Sequence, residues 1–261
     1  MTLVKHELRQ GKNTFLIWTA SIAFLIAVCI FMFPEMKGQM ESVNAMFSSM
    51  GSFTAAFGMD RLNFGTLIGF YAVECGNILG LGGAFYAALC AAGMLSKEEK
   101  DKTAEYLLTH PVSRARIITE KWLAVCIQLT AMNLIICGVS AASMAAVGES
   151  IPWKELSLMH LAFYLLQLEL AGICFGISAF LRKGSLGVGL GIATMMYFLN
   201  LMANIADSAA FLKYVTPFGY CEGADIVADG HLDGIYVLIG MVIGLCGLGT
   251  AYRQYTRKDI R

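Results

Sequence analysis

Glu169 is the most isolated candidate for chemistry in this sequence: it lies between Gln167 and Gly172, in a stretch from Leu161 to Leu181 with no other charge. Placing an ionisable group of that kind in lipid costs at least about 2.5 kcal/mol unless it faces protein or water. Glu169 is therefore expected to point inward. There it either lines a conducted path that a cationic or amphipathic substrate could follow, or bonds to a neighbouring helix through Asn133 or Asn200. Asn200 and Asn204 stand one helical turn apart and put two amides on one face, suited to helix-to-helix hydrogen bonds or to substrate. Glu74, beside Asn77, is expected at the outer mouth of its helix, where hydration makes a carboxylate inexpensive.

A second group is dense and charged: Glu98, Glu99, Lys102, Thr103 and Glu105, then Tyr106, Leu107 and Leu108, then Pro111 and Arg114. Glu98 and Lys102 at i and i+4 favour a helix by a few tenths of a kcal/mol. Pro111 ends that helix at His110, and Ser113 is placed to cap the next one. Tyr106, Leu107 and Leu108 form an apolar cluster on a charged loop, the kind of surface that takes a protein partner. Familiar catalytic sets are missing. The chain has no G-x-S-x-G, no H-E-x-x-H and no G-x-x-x-x-G-K-[ST], and Gly11-Lys12 lacks both the upstream glycine and the hydroxyl that bind phosphate and magnesium. Its eight cysteines show no C-x-x-C spacing, which points to packing rather than to metal.

The elements that must position these residues follow from composition. Of 261 residues, 57% are hydrophobic and only 15% charged, with a mean hydropathy of +0.64. Soluble chains carry about 25% charged residues, so lipid is the expected solvent, and a nucleic-acid-binding basic domain is excluded by a net charge of zero. A membrane helix needs roughly 20 apolar residues. Six runs meet that length, at about 15–33, 76–95, 122–147, 161–181, 185–206 and 235–252. The first is longer than a signal-peptide core and ends in Phe31-Met32-Phe33-Pro34, so it is expected to be a retained anchor.

Lys and Arg alternate between the connecting segments. Residues 1–14, 96–121, 182–184 and 253–261 hold 15 of them, and the opposite segments hold four. Positive charge stays on the cytoplasmic side, so both termini and the 96–121 loop are expected there. The first thirteen residues mix apolar and basic side chains, consistent with a short interfacial helix before the chain turns into the membrane. The spacing of apolar residues over 36–57 predicts an amphipathic helix capping the outer surface. Glycine pairs four apart, at Gly76/Gly80, Gly172/Gly176, Gly187/Gly191 and Gly240/Gly244, suggest close intrachain packing of helices.

The loop also resembles a known family. Glu98-Glu99, Thr103, Glu105, Leu107-Leu108 and Pro111-Val112-Ser113-Arg114 are similar to the signature of the ABC-2 type permeases, the membrane subunits of bacterial ABC exporters. The stretch Thr216-Pro217-Phe218-Gly219-Tyr220 with Ala224-Asp225-Ile226 and the tail Tyr255–Ile260 are similar to that family as well, so the resemblance covers essentially the whole chain. One departure is Lys102, where the family usually has glycine. The resemblance implies an all-α polytopic fold of the type V exporter kind, a single permease domain over residues 1–261. It would have an N-terminal elbow helix and a coupling helix at 97–108, the latter including Glu98, Glu99, Lys102, Thr103, Glu105, Tyr106, Leu107 and Leu108 and followed by Pro111 and Arg114. It further implies a separate ATPase subunit that binds ATP and magnesium, a second permease copy or a homologous permease, and a bacterial cytoplasmic membrane, with no cofactor in this chain itself. The transported molecule is left open among drugs, antimicrobial peptides, lipids and ions. The rival reading is a secondary transporter or channel without an ATPase, but the paired halves common in such proteins are not evident between spans one to three and four to six.

Overall fold

Each of the six apolar runs is helical in the computed structural model, which describes residues 2–39, 46, 50–59, 61–104, 112–181 and 186–258. In lipid every backbone N–H and C=O must be satisfied internally, and an α-helix does this along any run of sufficient length. The long helices are α1 (Thr2–Lys37), α2 (Leu67–Ala92), α3 (Arg114–Ala146), α4 (Trp153–Ser178), α5 (Leu186–Ile205) and α6 (Gly234–Arg257), all long and apolar enough to cross a membrane. No strand occurs among the described residues. The protein is an all-α polytopic membrane protein.

Several helices overrun their apolar runs, because caps and turns, not the hydrophobic edge, set where a helix stops. At 36 residues α1 is roughly 54 Å long, well beyond the ~30 Å hydrocarbon core. Its first residues are helical as expected, but they continue straight into the span, and no turn separates an elbow from it. Ser113 does cap α3, accepting a hydrogen bond from the Arg116 N–H at 3.3 Å. Thr66 caps α2, which begins nine residues before its apolar run and contains a π-helical turn at Tyr71–Cys75. The expected outer helix over 36–57 is not continuous. Gly51 has φ +53, a left-handed value that an L residue rarely adopts, and only Ser52–Ala56 is helical after it. Most of 40–49 lies outside the described residues.

Helix α4 is the centre of the bundle, packed against α6 on one side and α2 on another; α1 lies on α3 and α2, and α5 on α2. Lipid removes the hydrophobic drive between helices, so close backbone approach decides which pairs form. Between α4 and α6 that approach is made by glycines. A Cβ on Gly172 would stand 2.6 Å from the Gly244 carbonyl oxygen, and one on Gly176 only 2.5 Å from that of Gly247. The seam is intrachain, as expected for Gly172/Gly176 and Gly240/Gly244. In α5 the close approach is at Gly189, against Ala88 and Ala92 of α2, rather than at Gly191, which faces open space. Large apolar side chains such as Phe24, Phe198 and Leu238 stay exposed on α1, α5 and α6 and mark the lipid-facing rim.

Between α5 and α6 the chain folds back on the bundle as two 3-10 turns, Asp207–Tyr214 and Pro217–Tyr220, and a short helix, Gly223–Asp229. Thr216, Phe218, Tyr220, Cys221, Ala224 and Ile226 of this segment are buried. This segment, the plug, packs on the bundle away from the 96–104 turn.

Candidate functional site

The 96–104 turn begins where α2 ends. Its helix covers only Lys97–Lys100. The Thr103 N–H donates to the Glu98 carbonyl at 2.9 Å and the Lys102 N–H to that of Glu99 at 3.3 Å, the paired bonds of a Schellman cap. Such a cap needs a left-handed residue just past the helix, and Lys102 supplies it with φ +57, the one positive φ at a non-glycine among the described residues. Two corrections follow. The continuous helix expected over 97–108 is broken at 101–103, with Ala104 helical again, and Lys102, in the place where the family usually has glycine, takes up the left-handed turn rather than a stiffened helical position. Glu105, Tyr106, Leu107, Leu108 and Pro111 lie outside the described residues.

Successive residues of this short helix reach different neighbours, because a helix turns its side chains by about 100° per residue. Lys97 forms an ion pair with Glu7 of α1 and donates to the Gln10 side chain at 2.9 Å. Glu98 forms an ion pair with Lys121 of α3. Glu99 pairs at 2.6 Å with Lys258, just past the end of α6, and Lys258 also donates to the Leu181 carbonyl at 2.8 Å. Glu98 therefore bonds across to α3 instead of to Lys102, and of the three carboxylates expected to offer charge to another protein, Glu98 and Glu99 are turned into this chain and Glu105 lies outside the described residues. Lys121 is wholly buried, donates to the Met94 carbonyl at 2.5 Å and lies 3.6 Å from Glu7, which is itself 2% exposed. Arg114 donates to three carbonyls at the end of α6, those of Tyr255, Thr256 and Lys258, at 3.1, 3.3 and 2.6 Å. Lys100, Asp101, Lys102 and Thr103 remain exposed.

Glu7, Lys121 and Lys258 were not singled out from sequence. Lys121 did carry a signal, since a cation at the head of an apolar helix must find a counterion once buried. Spacing could not name that counterion, which lies more than a hundred residues away.

Inside the bundle, well within α4, Glu169 is 4% exposed and accepts a hydrogen bond from the Tyr220 hydroxyl at 2.9 Å. The partner is the plug, not Asn133 or Asn200. Asn133 instead donates to Gln167 at 2.6 Å across the α3–α4 contact. The Glu169 carboxylate and the Tyr220 ring both fill the space left by the absent side chain of Gly240 on α6. Asn204 donates to the plug's Glu222 at 2.8 Å and to the Ala56 carbonyl at 3.2 Å. Asn200 lines a cavity of about 50 Å³ together with Asn77, Tyr197, Phe218 and Glu222. Glu169, Asn200 and Asn204 thus converge on the plug and not on one another. Glu74 falls in the π-helical turn of α2, is half-buried, and does not line that cavity.

Burial pushes the Glu222 carboxyl above its usual range, against the opposing pull of Asn204, Lys213 and Arg61. Arg61 and Lys213 both reach Asp225, at 2.5 and 3.9 Å, and form an exposed ionic rim around the plug. The arrangement is a charged turn tied to several helices at one end and a separately held segment, Asp207–Asp229, packed on the bundle away from it. A family model described as ABC-2 family transporter protein matches residues 1–259. No curated protein matches the chain.

Proposed function

Because the chain belongs to the ABC-2 family of transporter proteins and is a transmembrane subunit of an ABC transporter, we propose that it is the permease of an ATP-driven exporter in a bacterial cytoplasmic membrane. Both termini and the 96–121 loop lie on the cytoplasmic side, following the 15-to-four distribution of Lys and Arg. A separate ATPase subunit carries ATP and its magnesium and docks on this loop through its exposed residues and the apolar Tyr106, Leu107 and Leu108. A second permease, identical or homologous, completes the pathway. Substrates are drugs, antimicrobial peptides or lipid-like molecules, and Glu169, Asn200 and Asn204 are the residues whose contacts with the plug change as they pass.

The observation that carries this reading is the way Lys97, Glu98 and Glu99 bind α1, α3 and the end of α6. A force applied to that turn reaches three helices at once, which an externally driven permease requires and a channel does not. Co-purification in mild detergent from native membranes tests it. The expected result is a bound P-loop subunit whose ATP turnover collapses with Leu107→Asp. A chain recovered alone and without ATPase activity would favour a secondary transporter or channel.

A further inference from the structure

Helix α6 touches both ends of the device described above. At its cytoplasmic end Lys258 pairs with Glu99 at 2.6 Å, and Arg114 holds the last carbonyls of the helix at 2.6 to 3.3 Å. At its other end Gly240 packs directly on the Glu169–Tyr220 pair that joins the plug to α4. Between the two, roughly 26 Å of helix separates Gly240 from Arg257. At Gly244 and Gly247 the backbone is pressed against α4, so a shift of α6 disturbs the helix that carries Glu169.

We propose that α6 is the connecting rod of the transporter, and that Lys258 is the positioning residue that attaches it to the coupling turn, while Arg114 holds the end of the rod to the head of α3. Displacement of the turn by the ATPase pulls on α6 through Glu99–Lys258. The rod shifts Gly240 against Glu169 and Tyr220, and the plug is released. The inference rests on the exporter reading, because it takes the driving force to come from an ATPase on the loop. It adds which helix carries that force to the far side and which residues engage it. Intermediacy in space alone does not demonstrate coupling, so the test must perturb one end and read the other.

Cys221 supplies the readout, since it sits within the plug, adjacent to Tyr220, and is 6% exposed. The permease–ATPase complex in nanodiscs is treated with a maleimide, with and without ATP, and modification at Cys221 is quantified by peptide mass spectrometry. The wild-type complex is expected to label faster when ATP is added. Lys258→Glu and Glu99→Lys are expected to keep ATP hydrolysis but lose the ATP-dependent rise in labelling. The combined variant, Lys258→Glu with Glu99→Lys, is expected to regain it because the pair is restored with its charges exchanged. Where a single reversal fails to assemble with the ATPase, Lys258→Gln is read in the same way. ATP-dependent labelling that survives in Lys258→Glu, or a charge-exchanged pair that hydrolyses ATP without regaining it, overturns the rod while leaving the exporter reading intact. A wild-type chain with no ATPase and no response to ATP overturns both.

Discussion

The two ends of the bundle are both rich in charge, but they use it differently. At the base formed by the 96–104 turn, the ion pairs that join the turn to α3 and to the end of α6 are buried: Lys121 with Glu98 has side-chain exposures of 0% and 12%, and Lys258 with Glu99 has 9% each. At the opposite end Arg61 with Asp225 is 46% and 41% exposed, and Lys37 with Glu149 is 50% and 30% exposed. What is buried between the plug and the bundle is a neutral-donor hydrogen bond, Tyr220 to Glu169, together with aromatic contacts such as Tyr197 on Phe218 at 5.4 Å. Buried ion pairs are demanding in geometry and costly to break singly, whereas exposed ones hold loosely. The base is therefore built to move as one body, and the plug to part from its seat.

Removing a single charge from the base gives the largest effect. Lys121→Ala strands Glu98 and leaves Glu7 with Lys97 alone, and is expected to destabilise the protein by about 3–5 kcal/mol, read as a lower thermal midpoint in detergent. Replacing Lys121 and Glu98 together by apolar residues of similar volume is expected to restore much of the loss. An equal loss in both would mean that the charged contacts of Lys121, not the volume that it packs, hold the base. Tyr220→Phe leaves the buried Glu169 without its donor, and a loss of about 1–3 kcal/mol is expected. That loss should appear as faster amide exchange confined to 216–226, and a uniform change over the bundle would erase the contrast between the ends.

Glu222 sharpens the comparison through pH. Its folded-state pKa lies above the unfolded value because burial disfavours the charged form, so the native plug binds the proton more tightly than the unfolded chain does. Plug stability should rise as pH falls through the raised value and be lost again above it. Glu222→Gln should flatten that dependence in a pH series of unfolding midpoints. Lys102→Gly relieves the left-handed strain at the Schellman cap and is expected to stabilise the base by up to about 1 kcal/mol. Arg61→Ala, at the exposed rim, should cost about 0–1 kcal/mol and do so only at low salt.

Much of the architecture was legible because lipid leaves few choices. Six apolar runs gave six helices, Ser113 capped α3 as its spacing required, and Gly172 and Gly244 met because only glycine permits that approach. Helix lengths were less legible, since α1 runs into its span without a turn and α2 begins nine residues before its apolar run. The site was read in part. Glu98 and Glu99 lie on a structured turn and Arg114 heads α3, but the partners of the turn, Glu7, Lys121 and Lys258, come from segments that no local spacing connects. Lys102 marked a real feature, a backbone position wanting φ above zero, while its rank as a departure from the family pattern concealed the helix end that it makes. Glu169 was placed inward by its cost in lipid, but the Tyr220 that receives it sits on a loop that sequence treated as external.

The most direct test of the contrast is amide hydrogen–deuterium exchange on the permease–ATPase complex, with and without ATP. Protection at 97–100 and along the ends of α3 and α6 should persist in both states, while exchange at 216–226 rises with ATP. Loss of protection at the base with no change in the plug would contradict the account, because the tightly paired end would then be the part that opens.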